Sequence, residues 1–314
     1  MSDAVNDWLL GGDPAVRWQV MRDLLDAPAD EVAAERARVI HEGWGAALMA
    51  ARDPDHGWAR AAFWPEGYTP EDWEREGQPW TATFPVLMLL RDLGAVPTDP
   101  VLASALETIE TSVLWEEGGQ PFFDGEVEPC INGRVVGLCA WAGRDGRPLV
   151  DRLLSEQLPD GGWNCEVERG ATVSSFDTTI NVLEGLAAYR DVTPSPARID
   201  EAMRAGEEYL LTRGLFRRLS TGDVVDPAYL ELSYPPQWHY DVLRALDYLR
   251  AVGRAPDPRA AEAIDVLRSK RLPDGRWPLE RVHRGRTHVD FEAVGEPSRL
   301  ITLRALRVLR WWDA

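Results

Sequence analysis

The stretch Leu153–Trp163 reads LLSEQLPDGGW, and the chain repeats it twice without a gap: LMAARDPDHGW at Leu48–Trp58 and LRSKRLPDGRW at Leu267–Trp277. Each copy opens on Leu, carries Gln or Arg fifth and Pro-Asp seventh and eighth, and closes on Trp. A turn recurring by chance would not keep its tryptophan. Internal repetition of this strictness decides the architecture before any other signal. The copies begin at 48, 153 and 267, which is 105 and then 114 residues apart. The structural unit is then roughly half that length, with degraded copies between. WEEGGQPFF (Trp115–Phe123) fits one degraded copy and LLTRGLF (Leu210–Phe216) the other.

Between these turns, apolar residues recur at three and four, and Pro and Gly punctuate the runs. The pattern predicts helices near 14–27, 30–51, 80–94, 99–114, 130–143, 146–157, 176–190, 196–213, 236–252, 258–271 and 297–312. No segment alternates with period two, so no sheet is expected. The helices are of two kinds. FPVLMLLRDLG, GRVVGLCAWAG and NVLEGLAAY are apolar on most sides, whereas SPARIDEAMRAGEEYLL and PRAAEAIDVLRSK are amphipathic and charged. Alternation of buried and one-sided helices is the pattern of inner and outer helices in a closed ring. The expected fold is all-α, a single (α/α)6-type toroid over residues 1–314, with a twelfth helix short or absent.

Composition supports this and narrows the partners. Of 314 residues, 45% are apolar, enough for a large core. A formal charge of −18 argues against nucleic acid or an anionic membrane as the main partner. No stretch approaches the roughly 20 apolar residues of a membrane span. The start, MSDAVNDWLL, lacks the basic and apolar blocks of a signal peptide. Three cysteines form no disulfide framework, so a reducing cytoplasm is the simplest expected setting.

The repeat resembles the QW motif of the terpene cyclase and protein prenyltransferase superfamily, which includes the squalene cyclase-like toroids. Leu153, Gln157, Gly161 and Trp163 match that motif, and Arg52 and Arg271 stand where Gln157 does in the other copies. The resemblance implies a toroid in which the Trp ring stacks on the Gln amide or Arg guanidinium and fastens the loop before the next inner helix. These tryptophans are therefore expected to be scaffold.

Chemistry is expected where the inner helices begin. Thr83, Asn132, Thr179, His239 and Arg299 fall at one level, with Arg17 beside them. Polar groups on apolar helices cost free energy unless satisfied or used. Cys130 opens one inner helix, Asp177 the next and His239 the one after. Cys, Asp and His can hold zinc and leave a fourth position open. The helix dipole is expected to lower the Cys130 thiol pKa. The prenyltransferase resemblance implies the same metal: Glu128 and Cys130 match its acidic-x-Cys element and His239 its histidine. Glu128 and Asp177 are thus rival ligands. Cys130 as a small buried residue and His239 as a capped surface group are the plainer alternatives.

Arg134, Arg299, Arg17 and Arg244 could bind an anionic group, or pair with the abundant acids. Trp80, Trp141, Trp238, Tyr240, Phe176 and Phe84 could line an apolar pocket, or simply pack. Cys165 follows the repeated Trp and could approach the mouth, with loop packing as the plainer reading. The loop ERVHRGRTHVDFEAVGEP, with His283, His288, Asp290 and Glu292, is long enough to be a lid or to supply a ligand.

The sequence points to a zinc-dependent enzyme acting on a small apolar substrate, such as an isoprenoid. Asp177, His239, Arg134 and Tyr240 are its catalytic candidates. The substrate pocket is drawn from Trp80, Thr83, Phe84, Asn132, Thr179, Trp238 and Arg299. The resemblance also implies a helical-repeat partner subunit. One alternative is a metal-free terpene cyclase-like enzyme using Asp177 or Glu184 as acid, although no Asp-x-Asp-Asp string occurs. The other is a non-catalytic module that binds hydrophobic ligands.

Overall fold

The computed structural model describes residues 3–194 and 196–314. Among them the chain forms fourteen α-helices. They are α1 (Asp3–Leu10), α2 (Pro14–Asp23), α3 (Ala29–Ala37), α4 (Gly43–Ala50), α5 (Pro70–Glu76), α6 (Thr83–Leu93) and α7 (Pro100–Ser112). Next come α8 (Pro129–Ala142), α9 (Arg147–Ser155), α10 (Phe176–Arg190), α11 (Ala197–Leu211), α12 (Val242–Ala251), α13 (Ala261–Ser269) and α14 (Arg299–Trp312). Pairing of extended backbone is limited, among the described residues, to isolated bridges such as Leu114 with Pro121. The all-α class holds. Helices α6, α8, α10 and α12 are buried along most of their length. Helices α7, α9, α11 and α13 bury one stripe. This is the alternation that an α/α barrel requires.

Besides α1, which the pattern does not contain, and α2, which ends at Asp23 rather than 27, three helices depart from the pattern for local reasons. The run 30–51 breaks at 38–42, and Gly43 takes a left-handed φ of 58° at the start of α4. Helix α5 has no periodic signature in the sequence. A capping box starts it, in which Thr69 and Asp72 satisfy each other's backbone N–H groups, with Pro70 at the first position. Helix α12 begins at Val242 rather than 236, because the Asp241 side chain caps it by accepting from Arg244 N at 2.7 Å.

The chain divides into two compact units. One comprises residues up to Phe122 with 233–235 and 271–307; the other comprises 123–232, 236–270 and 308–314. In the first, Trp18 Nε1 donates to Leu93 O at 2.8 Å and ties α2 to the end of α6. The 280–296 loop belongs to this unit and is held along its length. Trp80 N donates to Arg286 O at 2.9 Å, and Phe291 packs edge-on against Trp44 and Tyr234. Glu292 accepts from Arg299 N at 2.7 Å, and His288 Nε2 lies 2.9 Å from Thr81 O. These contacts tie the segment into the first unit.

The three copies of the repeat fold alike. In each, the sixth residue's N–H donates to the tenth residue's carbonyl: Asp53 to Gly57 at 2.7 Å, Leu158 to Gly162 at 2.9 Å and Leu272 to Arg276 at 2.8 Å. Gly161 and Gly275 take left-handed φ values of 99° and 88° in that turn. Trp58, Trp163 and Trp277 are fully buried. The indole N–H of Trp58 donates to Leu48 O and that of Trp163 to Leu153 O, both at 2.7 Å. Each Trp backbone N–H is accepted by a threonine near the start of the next buried helix: Thr83, Thr179 and Thr302, at 3.0, 3.1 and 2.9 Å. Arg271 lies over the Trp277 ring at 5.2 Å, as expected, whereas Gln157 instead donates to the carbonyls of Gly161 and Ala202.

Candidate functional site

The second unit gathers its chemistry through one close helix crossing. Gly133 on α8 faces Gly185 on α10, and a Cβ on Gly185 would overlap the Gly133 carbonyl. A Cβ on Gly133 would sit 2.6 Å from Val182 Cα. Only glycine at both places permits this approach. It packs α8 closely against the middle of α10.

Three donors meet at the start of α8. Ligand atoms of Glu128, Cys130 and Cys165 lie within 4.8 Å of one another, the thiols half-buried and the carboxylate exposed. Cys130 Sγ is 3.4 Å from Glu128 Oε2. Thr178 Oγ1 is 3.4 Å from Cys165 Sγ and accepts from Cys165 N at 3.3 Å, which fixes the loop after Trp163. Hydrogen bonding to Cys165 and burial push the Cys130 thiol well above its ordinary range, against the lowering expected from the helix dipole.

Asp177 and His239, expected beside Cys130, are not members of this donor group. Asp177 accepts from the Tyr229 hydroxyl at 2.8 Å and from Tyr240 N at 2.7 Å. Burial raises its carboxyl pKa, opposed by those two bonds and by Arg244. His239 is not on a helix. It precedes the Asp241 cap of α12, and its ring stacks on half-exposed Trp238 with centroids 3.7 Å apart. Asn181 positions this segment by donating to Trp238 O at 2.7 Å. Arg244 donates to His239 O and Asn181 Oδ1 and pairs with Glu184 at 2.6 Å. That ion pair occupies Glu184 and takes Arg244 out of the anion-binding set. Arg17 is likewise paired, with Glu35.

The other expected pocket residues serve the frame. Thr83 and Thr179 are fully buried and hold the Trp loops. Asn132 is fully buried and bonds both the N–H and the carbonyl of Glu126, at 2.7 and 2.6 Å. Phe84 packs between Phe63 and Trp115. Trp80 is buried, and its indole donates to Arg284 O at 3.2 Å. Arg299 donates to Trp8 O at 3.0 Å and covers that indole. Arg134 is buried within α8. The Tyr240 phenol is buried and donates to Leu215 O, which leaves its backbone N–H as the group that meets Asp177.

Cys165, for which loop packing is the plainer reading of the sequence and an approach to the mouth the other, joins the donor group. The three repeats nonetheless carry a signal. Two places after Trp stand Arg60, Cys165 and Leu279, and before the threonine stand Ala82, Thr178 and Ile301. Only the middle copy places a thiol and a hydroxyl at that pair of positions.

No protein-family model matches the chain, and no curated protein does. Among solved structures it is similar to a glycosyl hydrolase family 88 protein from Bacteroides vulgatus, with a TM-score of 0.45 and 13% identity over 98% of this chain and 94% of that one. A likeness of that strength carries no statement about chemistry.

Proposed function

We propose that the chain is a zinc-dependent enzyme whose metal is held by Cys130, Cys165 and Glu128. The observation that carries this reading is the convergence of two thiols and a carboxylate within 4.8 Å where α8 and α10 begin. The donor set fits the ion. Zinc–sulfur bonds near 2.3 Å in a tetrahedron imply donor separations of about 3.8 Å, close to those present. Three protein donors leave a fourth position for water or substrate. A zinc bound there would polarise a substrate oxygen or lower the pKa of a bound thiol or water.

The chain's own residues supply the rest. Thr178 orients the Cys165 sulfur, and Glu128 faces Cys130. Asp177, one residue before Thr178, holds a proton to higher pH than an exposed aspartate and is aimed by Tyr229 and Tyr240. The substrate class is apolar, and the isoprenoid class rests on the QW resemblance alone. A second reading, proton transfer by Asp177 without metal, is favoured by that residue's burial and raised pKa.

Metal analysis after equilibrium dialysis against zinc separates the two. One zinc per chain, lost in Cys130→Ala and Cys165→Ala and kept in His239→Ala, is the expected result. A chain that retains no zinc, or retains it in the cysteine double variant, sinks the metal reading. Turnover by the metal-free protein that Asp177→Asn abolishes would install the second.

A further inference from the structure

Beside this site the second unit contains a cavity of about 550 Å³, within the range of small-molecule sites. Its walls include Val173, Phe176, Tyr209, Val225 and Tyr229. The aromatic members pack on one another: Phe176 lies 5.5 Å from both Tyr209 and Tyr229. The Tyr209 and Tyr229 hydroxyls donate to Ser174 O and to Asp177, so both donors are used within the protein.

The remaining lining is cationic. Arg213, Arg217 and Arg218 border the cavity, and no carboxylate does among the described residues. Two of these charges are answered from behind. Arg213 stacks on Tyr209 with Asp160 3.7 Å away, and Arg217 pairs with Glu262. Arg218 has no carboxylate partner among the described residues; its guanidinium gives one bond, to Val225 O at 3.0 Å. The Arg217–Val224 bridge and the Arg218 N to Asp223 O bond at 2.7 Å hold the short turn that presents it. In a chain of charge −18, an uncompensated arginine over an aromatic cavity is a local reversal of sign.

We propose that this cavity binds a small amphiphilic monoanion, an apolar or aromatic body bearing one carboxylate. The body lies against Phe176, Tyr209 and Tyr229, and the carboxylate meets Arg218. One uncompensated cation matches one negative charge. The binding does not depend on the metal reading, since no cavity-lining residue is one of the three metal donors.

Calorimetric titration of the metal-free, full-length chain with naphthoate and with the neutral isostere naphthamide tests this. Naphthoate is expected to bind saturably and about fivefold more tightly than naphthamide, the scale of an exposed charge pair. Arg218→Gln is expected to remove that preference and Arg218→Lys to keep most of it. Val173→Trp, at an exposed wall position, is expected to fill the cavity and abolish binding of both probes. Equal binding of the two probes, a preference that survives Arg218→Gln, or binding that survives Val173→Trp would overturn the proposal. Absence of saturable binding by naphthoate would overturn it as well. Zinc stoichiometry is measured separately, so failure of either proposal leaves the other standing.

Discussion

The middle and last copies of the repeat share one frame and differ in the segment that leads out of it. Both bury the tryptophan and give its backbone N–H to a threonine. In the middle copy that threonine lies 16 residues after the tryptophan, and in the last copy 25 residues after it. The longer segment of the last copy is spent on a loop tied down by its own backbone and aromatic contacts. The shorter one leads directly from Trp163 through Cys165 to Thr178, and so keeps a thiol against the α10 N-terminus. The same scaffold thus carries structure in one place and a donor group in the other.

The comparison breaks first at the tryptophans. Trp163→Ala and Trp277→Ala are each expected to cost about 3–5 kcal/mol through the cavity they leave, read as a fall in thermal midpoint. Only Trp163→Ala should also lower zinc retention, because only its loop carries a ligand. Equal effects on zinc would erase the distinction between the copies. The threonines sharpen it further. Thr179→Val and Thr302→Val each leave a buried N–H without its acceptor, at about 1–3 kcal/mol. Thr178→Val is expected to change stability less than either and to reduce zinc retention more.

The smallest expected effect belongs to Asp177. Burial raises its folded pKa above its ordinary value near 3.8. Between those two values the folded chain binds the proton more tightly than the unfolded chain, so stability falls as pH rises through the window and is level above it. Asp177→Asn removes that dependence. A thermal-midpoint profile with the same slope in both proteins above pH 3.8 would show that Asp177 does not titrate as its surroundings dictate.

Much of the frame was legible because it rests on local chemistry. The Leu–Trp and Pro-Asp spacings imposed the turns, and three- and four-residue periodicity gave most of the helices. A side-chain cap at Thr69 started α5 where the pattern showed no helix, and another, at Asp241, moved the start of α12. The second of these displaced His239 from its expected helix. The site was only partly legible. Glu128 and Cys130 are two residues apart and could be read together. Cys165 reaches them through the Gly133–Gly185 crossing, a long-range contact that one sequence does not state. The threonines looked like a polar layer facing a cavity because their partners, the Trp backbone N–H groups, are invisible to side-chain pattern.

The indole clamps close over only ten residues, from Trp58 to Leu48 and from Trp163 to Leu153. Loops this short lose little chain entropy on closing, so each corner can form early and independently during folding. The segment between a clamped tryptophan and its threonine is then free to vary in length. By the same scaling, extending it from 16 to 25 residues costs only about 0.4 kcal/mol of closure entropy. New loops can enter the chain at these positions at small thermodynamic cost, which makes them natural places for insertion.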